Sequence, residues 1–163
     1  MAVERRLMVM RHAKSSWKDQ TLDDHDRPLN KRGRRDAPRI AERLEELGWI
    51  PEHVVSSTSE RTRQTWAGMA SRFPDATTTF TEDLYLSGVE EPIARIAALP
   101  APMCSVLLLG HNPGFEELVE DLVGRDIIMT TANVALLVGR GGTWADALAN
   151  GFTCVDVLRP KEL

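Results

Sequence analysis

Only four histidines occur in the 163 residues, at positions 12, 25, 53 and 111, and two of them share an unusual setting. His12 follows Leu7-Met8-Val9-Met10 and stands directly after Arg11. His111 follows Leu107-Leu108-Leu109 and Gly110, and precedes Asn112, Pro113 and Gly114. In both cases an apolar run stops at an imidazole where the backbone is about to turn. In "HVVSSTSER" a third apolar run leads into Ser57 and, four residues on, Arg61. Neutral imidazole is a nucleophile and a proton carrier, and guanidinium grips a phosphoryl group through paired N–H donors. Two histidines and two arginines brought together would suit a doubly charged tetrahedral group, and phosphate is the obvious one. Taken singly, each residue also has a plain reading: a histidine after a strand is often structural, and Arg11 alone could be a surface charge.

The elements that would have to gather these side chains can be read from periodicity. Residues 5–10, 53–57 and 105–109 read as short buried strands. One helical face follows the first strand, carrying Ala37, Ile40, Ala41, Leu44 and Leu47. Trp66, Met69, Ala70 and Phe73 mark a second helix, and Phe115, Leu118, Val119, Leu122 and Val123 the most regular one. Two starts fit the first helix. Asn30 can cap it from Lys31, making Pro38 an interior kink, or it begins near Asp36 with Pro38 in its first turn. Gly48 ends it either way. A weaker strand at 77–81 and a short helix at 90–98 follow, and "NVALLV" and "FTCVDVL" predict two closing strands paired antiparallel. Strands alternating with helices predict a largely parallel sheet covered on both faces. Ligands of such sheets bind beyond the carboxyl ends of the strands. With the three strong strands adjacent, Arg11, His12, Ser57, Arg61 and His111 converge there. Helices starting near Ser59 and Gly114 would add N–H groups that favour an anion.

Composition narrows the function classes. The net charge of −4 argues against general nucleic-acid binding, which depends on neutralising phosphates along the strand. The charge is uneven: residues 1–72 carry fifteen Lys and Arg against eleven Asp and Glu, and the remainder five against thirteen. A focused anion site in the first half is therefore compatible with an acidic total. Cys104 and Cys154 lie fifty residues apart with no metal spacing, and read as buried free thiols of a reducing compartment. The apolar run before Arg11 is too short for a signal peptide, and no stretch is long enough to span a membrane. A soluble, cytoplasmic protein with a single domain over residues 1–163 is the expectation.

Four ordered motifs carry a family resemblance over nearly the whole chain. "VMRHAKSSW" resembles the Arg-His-Gly signature of the histidine phosphatase superfamily, with Ala13 at the usual glycine. "SSTSERTRQT" is similar to the second motif, "LLLGHNPG" to the third with its second histidine, and "DHDRPLNKRG" to the Arg-Pro-Leu-x-x-x-Gly segment of short members. The closing "VLRPKEL" resembles their last strand. The subgroup it most resembles is the compact SixA-like phosphohistidine phosphatases.

That resemblance implies a three-layer α/β/α sandwich with a mostly parallel central sheet, of phosphoglycerate mutase-like type. It also implies metal-independent, cofactor-free hydrolysis. His12 would be the nucleophile and carry the phosphoryl group transiently. Arg11 and Arg61 would hold the non-bridging oxygens and favour the neutral form of His12. His111 would donate a further hydrogen bond, and Asn112 with the turn after it amide donors. Ser57 of the second motif, and Lys14 at the rim of the site with Trp17 beside it, would bind phosphate or substrate. In mutase-like relatives a glutamate between the second and third motifs serves as general acid. Glu82 is the positional match, although it could equally be a capping or surface carboxylate. Arg27 could reach back to the phosphate, or pair with Asp23, Asp24 or Asp26. His25 reads as a solvated loop residue, and His53 starts a strand at the wrong end for chemistry. Trp144, like Trp17, could mark a contact or pack under a loop. The implied partner is a phosphorylated substrate, such as a phosphorelay protein carrying phosphohistidine or a small phosphomonoester. Phosphate or sulfate would bind the site. A non-catalytic phosphate-binding module is the third reading.

Overall fold

The computed structural model describes residues 2–163. Strand β1 (Val3–Arg11) is followed by a long loop with a short 3-10 turn at Asp24–Asp26, and then by helix α1 (Lys31–Glu46). After it come β2 (His53–Ser57), α2 (Glu60–Met69), β3 (Thr77–Thr81), α3 (Glu90–Ala97), β4 (Ser105–Gly110) and α4 (Gly114–Val123). Strand β5 (Val134–Gly141), helix α5 (Trp144–Asn150) and strand β6 (Thr153–Leu158) complete the order. Among the described residues the strands form one six-stranded sheet in the order β3-β2-β4-β1-β5-β6. The first four of these run parallel to their neighbours, while β5 is antiparallel to β1 and β6 to β5. The three strong strands are therefore adjacent, with β4 between β1 and β2.

Successive strand residues point to opposite faces, so each buried strand feeds two cores. Met8, Met10, Leu107 and Leu109 pack with Ala37, Ile40, Ala41 and Leu44 of α1 and Trp66 and Met69 of α2. Leu7, Val9, Val106 and Leu108 pack on the other face with Ile96, Phe115, Leu118, Val119, Leu122 and Trp144, from α3, α4 and α5. This gives the three layers. The start of α1 is settled by Asn30, whose side chain accepts a hydrogen bond from Gly33 N at 2.9 Å, so Pro38 lies inside the helix. Helix α5 was not anticipated. It is short and capped by Thr143, and it buries Trp144, whose indole N–H donates to the Met103 carbonyl at 2.7 Å. Trp144 is thus a core residue, whereas Trp17 is 68% exposed. Cys104 and Cys154 are free, but each is half-buried rather than buried. None of the helices among the described residues is long and apolar enough to cross a membrane.

Candidate active site

The carboxyl ends of β1, β2 and β4 lie side by side, and the side chains expected there meet. The rings of His12 and His111 are 5.2 Å apart between centroids. Register explains the pairing: Arg11, the last residue of β1, aligns with Gly110, the last of β4, so each histidine leaves its strand at the same level. His12 N donates to Gly110 O at 3.0 Å, and Ala13 N to the Thr65 hydroxyl of α2 at 3.0 Å. Both ring-bearing turns are therefore held by backbone bonds.

His12 is buried, and its Nδ1 lies 2.7 Å from the Ala13 carbonyl. A carbonyl only accepts, so the ring hydrogen sits on Nδ1 and the lone pair on Nε2. Burial lowers its pKa to about 3; the Ala13 bond, the next largest effect, opposes this, and charge repulsion from Arg61, Arg11 and Arg27 adds to the lowering. The imidazole is neutral and nucleophilic at ordinary pH. His111 is likewise held neutral, lowered to about 2 by burial, by His12 and by Arg61. Arg61 Nη2 lies 3.3 Å from His111 Nδ1, and the Ser57 hydroxyl 2.9 Å from Nε2. Arginine can only donate, which makes Nδ1 the acceptor and puts the ring hydrogen on Nε2, toward Ser57. Ser57, fully buried, thus holds the second histidine.

Both arginines keep donors in reserve. Arg11 Nη1 donates to the Met129 carbonyl at 3.3 Å, while its Nε is buried without a partner. Arg61 Nε is also buried without a partner. A buried N–H left unpaired costs free energy, and two of them on cations beside two neutral histidines point to an oxyanion as the missing acceptor.

The remaining expected residues divide. Arg27 is buried. Its guanidinium donates to the Ser15 hydroxyl at 3.0 Å and to Asp24 Oδ1 at 3.2 Å, stacks 3.5 Å from the Trp17 ring centroid, and lends charge at His12. Asn112 is committed elsewhere: its amide nitrogen donates to Glu116 at 2.6 Å and to the Met129 carbonyl at 2.7 Å, so the side-chain donors expected for phosphate are spent on holding the 125–133 loop. Lys14 meets α1 through its backbone, accepting from Asn30 N at 2.9 Å. Glu82 opens a 3-10 turn, is exposed, and makes no side-chain hydrogen bond among the described residues. It follows Thr81, which pairs with Ser57 of β2, and no hydrogen bond or ion pair ties it to the histidines among the described residues.

A different carboxylate is there. Asp24 accepts from Arg61 Nη2 at 2.9 Å and from the Tyr85 hydroxyl at 2.6 Å. Tyr85 was not expected, although it is the chain's one tyrosine and lies three residues after Glu82. Its ring packs edge-on against His111 at 5.4 Å and against His25 at 4.7 Å. His25 is therefore not a solvated residue. It is half-buried against Tyr85 with Nε2 2.8 Å from the Thr58 hydroxyl, and a chain of rings runs from His25 through Tyr85 and His111 to His12. His53 sits at the far end of β2, bonded to Thr77 and Thr79.

Comparison with known proteins agrees with this geometry. The family model of the histidine phosphatase superfamily, branch 1, matches residues 7–85. An uncharacterized chloroplastic protein of Arabidopsis thaliana is 37% identical over 158 residues, covering 91% of this chain and 72% of that protein. The chain belongs to the histidine phosphatase superfamily. The chain assigned as phosphohistidine phosphatase SixA in Nakamurella multipartitia superposes with a TM-score of 0.86 at 31% identity, covering 97% of each chain. The protein histidine phosphatase SixA complexed with tungstate, at 22% identity, superposes with a TM-score of 0.83 over 96% of this chain and 98% of its own, and shares the fold. The chain is a SixA-like phosphatase with the phosphoglycerate mutase-like sandwich.

Proposed function

We propose that this phosphatase hydrolyses the P–N bond of protein phosphohistidine, with His12 as the nucleophile. The observation that carries the nucleophile is His12 itself: neutral, its Nδ1 tied to Ala13 O, its Nε2 lone pair free beside Arg11 and Arg61. Nε2 attacks phosphorus in line as the P–N bond breaks; the substrate's ring, protonated on its other nitrogen, leaves as neutral imidazole, and the phosphoryl group passes to His12. Water then attacks phosphorus and the P–Nε2 bond breaks; dihydrogen phosphate leaves with both of the water's hydrogens, and His12 returns to the neutral ring with its hydrogen on Nδ1. The unpaired Nε donors of Arg11 and Arg61 would meet the equatorial oxygens, where charge concentrates in the transition state. A dianion beside His111 favours its protonation, converting Nδ1 from acceptor to donor. No metal or cofactor enters these steps.

Substrate class follows from the acid. An alkoxide leaving group needs a proton, a contribution of ~10²–10⁴ in rate. The carboxylate at the cluster, Asp24, is a poor donor: desolvation raises its pKa, but the Tyr85 and Arg61 hydrogen bonds outweigh that and hold it down at about 2. Glu82 is exposed and hydrogen-bonded to none of the site residues among the described residues. A site with a neutral nucleophile, two arginines and no carboxylic acid bonded into it suits imidazole, a better leaving group than an alkoxide.

The test is phosphate release from a phosphohistidine-bearing protein, an aryl phosphate and a phosphoserine peptide, in EDTA, with His12→Ala as control. Preferential release from phosphohistidine that vanishes in the variant supports the reading. Faster turnover of the aryl ester makes the protein a small-molecule phosphomonoesterase and directs attention to Glu82. Phosphate binding with no turnover of any of the three makes it a phosphate-binding module.

A further inference from the structure

We infer that Asp24 is a positioning residue for the phosphoryl-transfer step, holding the end of the Arg61 guanidinium so that its other edge is fixed beside His111. The inference rests on the reading of Arg61 as a phosphoryl-binding residue and extends it to a loop 37 positions earlier in the chain.

A guanidinium presents distinct edges: the end formed by the two Nη groups, and the side formed by Nε and one Nη. Asp24 takes the end. Arg61 Nη1 donates to its backbone carbonyl at 2.7 Å and Nη2 to its carboxylate at 2.9 Å, so a single residue closes that edge with two acceptors. The Nε hydrogen is left buried and unpaired. On the side edge Nη2 lies 3.3 Å from His111 Nδ1, so both Nη groups are held by protein partners and Nε alone is not.

Asp24 is itself fixed from two further directions. Tyr85 donates to Oδ2 at 2.6 Å and Arg27 Nε to Oδ1 at 3.2 Å. The three donors come from α2, from the segment after β3 and from the residue that closes the Asp24–Asp26 turn. The carboxylate is 42% exposed at the mouth while Arg61 is 3% exposed below it, so the anchor lies outside and the working group inside. Each partner also reaches the histidines: Arg61 contacts His111, Tyr85 packs on His111, and the Arg27 charge is felt at His12. One carboxylate thereby sets the orientation of the groups that surround the phosphoryl site, by hydrogen bonds it makes before any substrate arrives.

The experiment compares Asp24→Ala, Asp24→Asn, Tyr85→Phe and Arg61→Ala with the parent, reading kcat and KM on an aryl phosphate and the inhibition constant of orthovanadate. Thermal melts and size exclusion confirm that each variant is folded. Asp24→Ala is expected to lose kcat by up to about 10²-fold, the cost of a catalytic group displaced by an ångström, with KM changing much less. Vanadate, which adopts the five-coordinate geometry of the transition state, should weaken in step with kcat. Asp24→Asn keeps one oxygen for Arg61 and Tyr85 but turns a donor toward Arg27, and should lie between Ala and the parent. Tyr85→Phe should move the same way by less. Should Asp24→Ala fail to fold, Asp24→Asn and Tyr85→Phe decide the matter on the same readouts. Parent-like kcat and vanadate inhibition in the Asp24 variants, or tighter vanadate binding, would overturn the inference. Arg61→Ala separates the two levels: if it loses vanadate while Asp24→Ala keeps it, only the role of Asp24 fails. If Arg61→Ala itself binds vanadate like the parent, the reading of the site fails with it.

Discussion

His12 donates its Nδ1 hydrogen to the carbonyl of the residue that follows it, Ala13, at 2.7 Å. The bond is local, yet it decides the chemistry, because it leaves the lone pair on the nitrogen farther from the backbone. With His111 5.2 Å away and both rings buried near arginines, burial and charge repulsion oppose the protonation of either.

Stability should therefore fall in acid before any carboxylate titrates. An unfolded histidine takes up its proton near 6.5, whereas His12 does so at about 3 and His111 at about 2. Between those values the unfolded chain binds more protons than the folded one, so stability drops as pH falls below 6.5, by about 1.4 kcal/mol per pH unit for each histidine. Above that pH the two rings contribute no dependence. Asp24 acts in a lower window: its stabilisation is complete above 3.8 and is lost as pH falls toward about 2. Phosphate-free urea melts at about pH 7.5, 6 and 5, with NMR titration of the imidazole signals, check this. Rings of His12 and His111 that charge near 6.5, with a flat urea midpoint, would contradict it.

Ser57→Ala should weaken both fold and catalysis. The Ser57 hydroxyl accepts from His111 Nε2 at 2.9 Å and from Ser59 N at 3.2 Å, and is fully buried. Removing it strands two buried donors, costing about 1–3 kcal/mol. His111 would lose the bond that fixes its tautomer, and kcat should fall more than KM rises, because the hydroxyl is bonded to His111. A denaturation midpoint and steady-state kinetics on one preparation measure both. A change confined to KM would mean that the hydroxyl binds substrate directly.

How far these relationships could be read from the chain depends on their range. The strand ends at Arg11-His12, Ser57 and His111 were readable because apolar runs ending in polar residues mark where a parallel sheet stops, and topology alone then brings them together. Local chemistry was readable where a single turn decides it, as at Gly48, but the start of α1 stayed open because Asn30 and Asp36 both offered plausible first turns. The Asp24 contacts were not readable. "DDHD" is four charged or polar residues in a loop, and composition describes such a stretch as solvated. Which of its carboxylates folds inward is set by Arg61 and Tyr85, 37 and 61 residues away. The same range hid His25 behind its neighbours, and hid Trp144, whose burial depends on a helix too short to announce itself by periodicity.

Gly33→Ala should displace the loop that carries the nucleophile. A β-carbon on Gly33, in the first turn of α1, would overlap the backbone carbonyl oxygen of Lys14 at a separation that real atoms do not reach. That oxygen also accepts the Asn30 N–H at 2.9 Å, so helix and loop cannot part without losing the bond. Overpacking of this kind costs about 1–3 kcal/mol. Because Lys14 is two residues from His12, the accommodation reaches the site, and a loss of kcat should accompany the lower denaturation midpoint. Full activity in a destabilised Gly33→Ala would show that the loop yields on its outer side alone.

Arg5 offers the converse case, a buried charge that serves the fold and lies away from the chemistry. It is 1% exposed near the start of β1, six residues before Arg11, and pairs with no carboxylate among the described residues. Its guanidinium instead donates to the carbonyls of Ala101 at 2.5 Å, Met103 at 3.0 Å, Gly141 at 3.2 Å and Gly142 at 2.8 Å, with Trp144 5.6 Å away. These carbonyls belong to the segment before β4, to the last residue of β5 and to the turn after it, so one side chain ties the 101–103 segment and the β5–α5 turn to β1. Methionine in its place would fill the volume and relieve the desolvated charge, which sets a limit on the loss. The carbonyls, however, would be left dry, and charged hydrogen bonds contribute about 1.5–3 kcal/mol each before that relief. Arg5→Met should therefore destabilise by about 2–4 kcal/mol, and Arg5→Lys by less, since one ammonium reaches fewer of the four acceptors. The folded fraction should keep its kcat/KM, because His12 leaves the opposite end of the strand. Denaturation midpoints paired with kinetics below the transition separate the two quantities, and a fall in kcat/KM of folded Arg5→Met would show that the two ends of β1 are coupled.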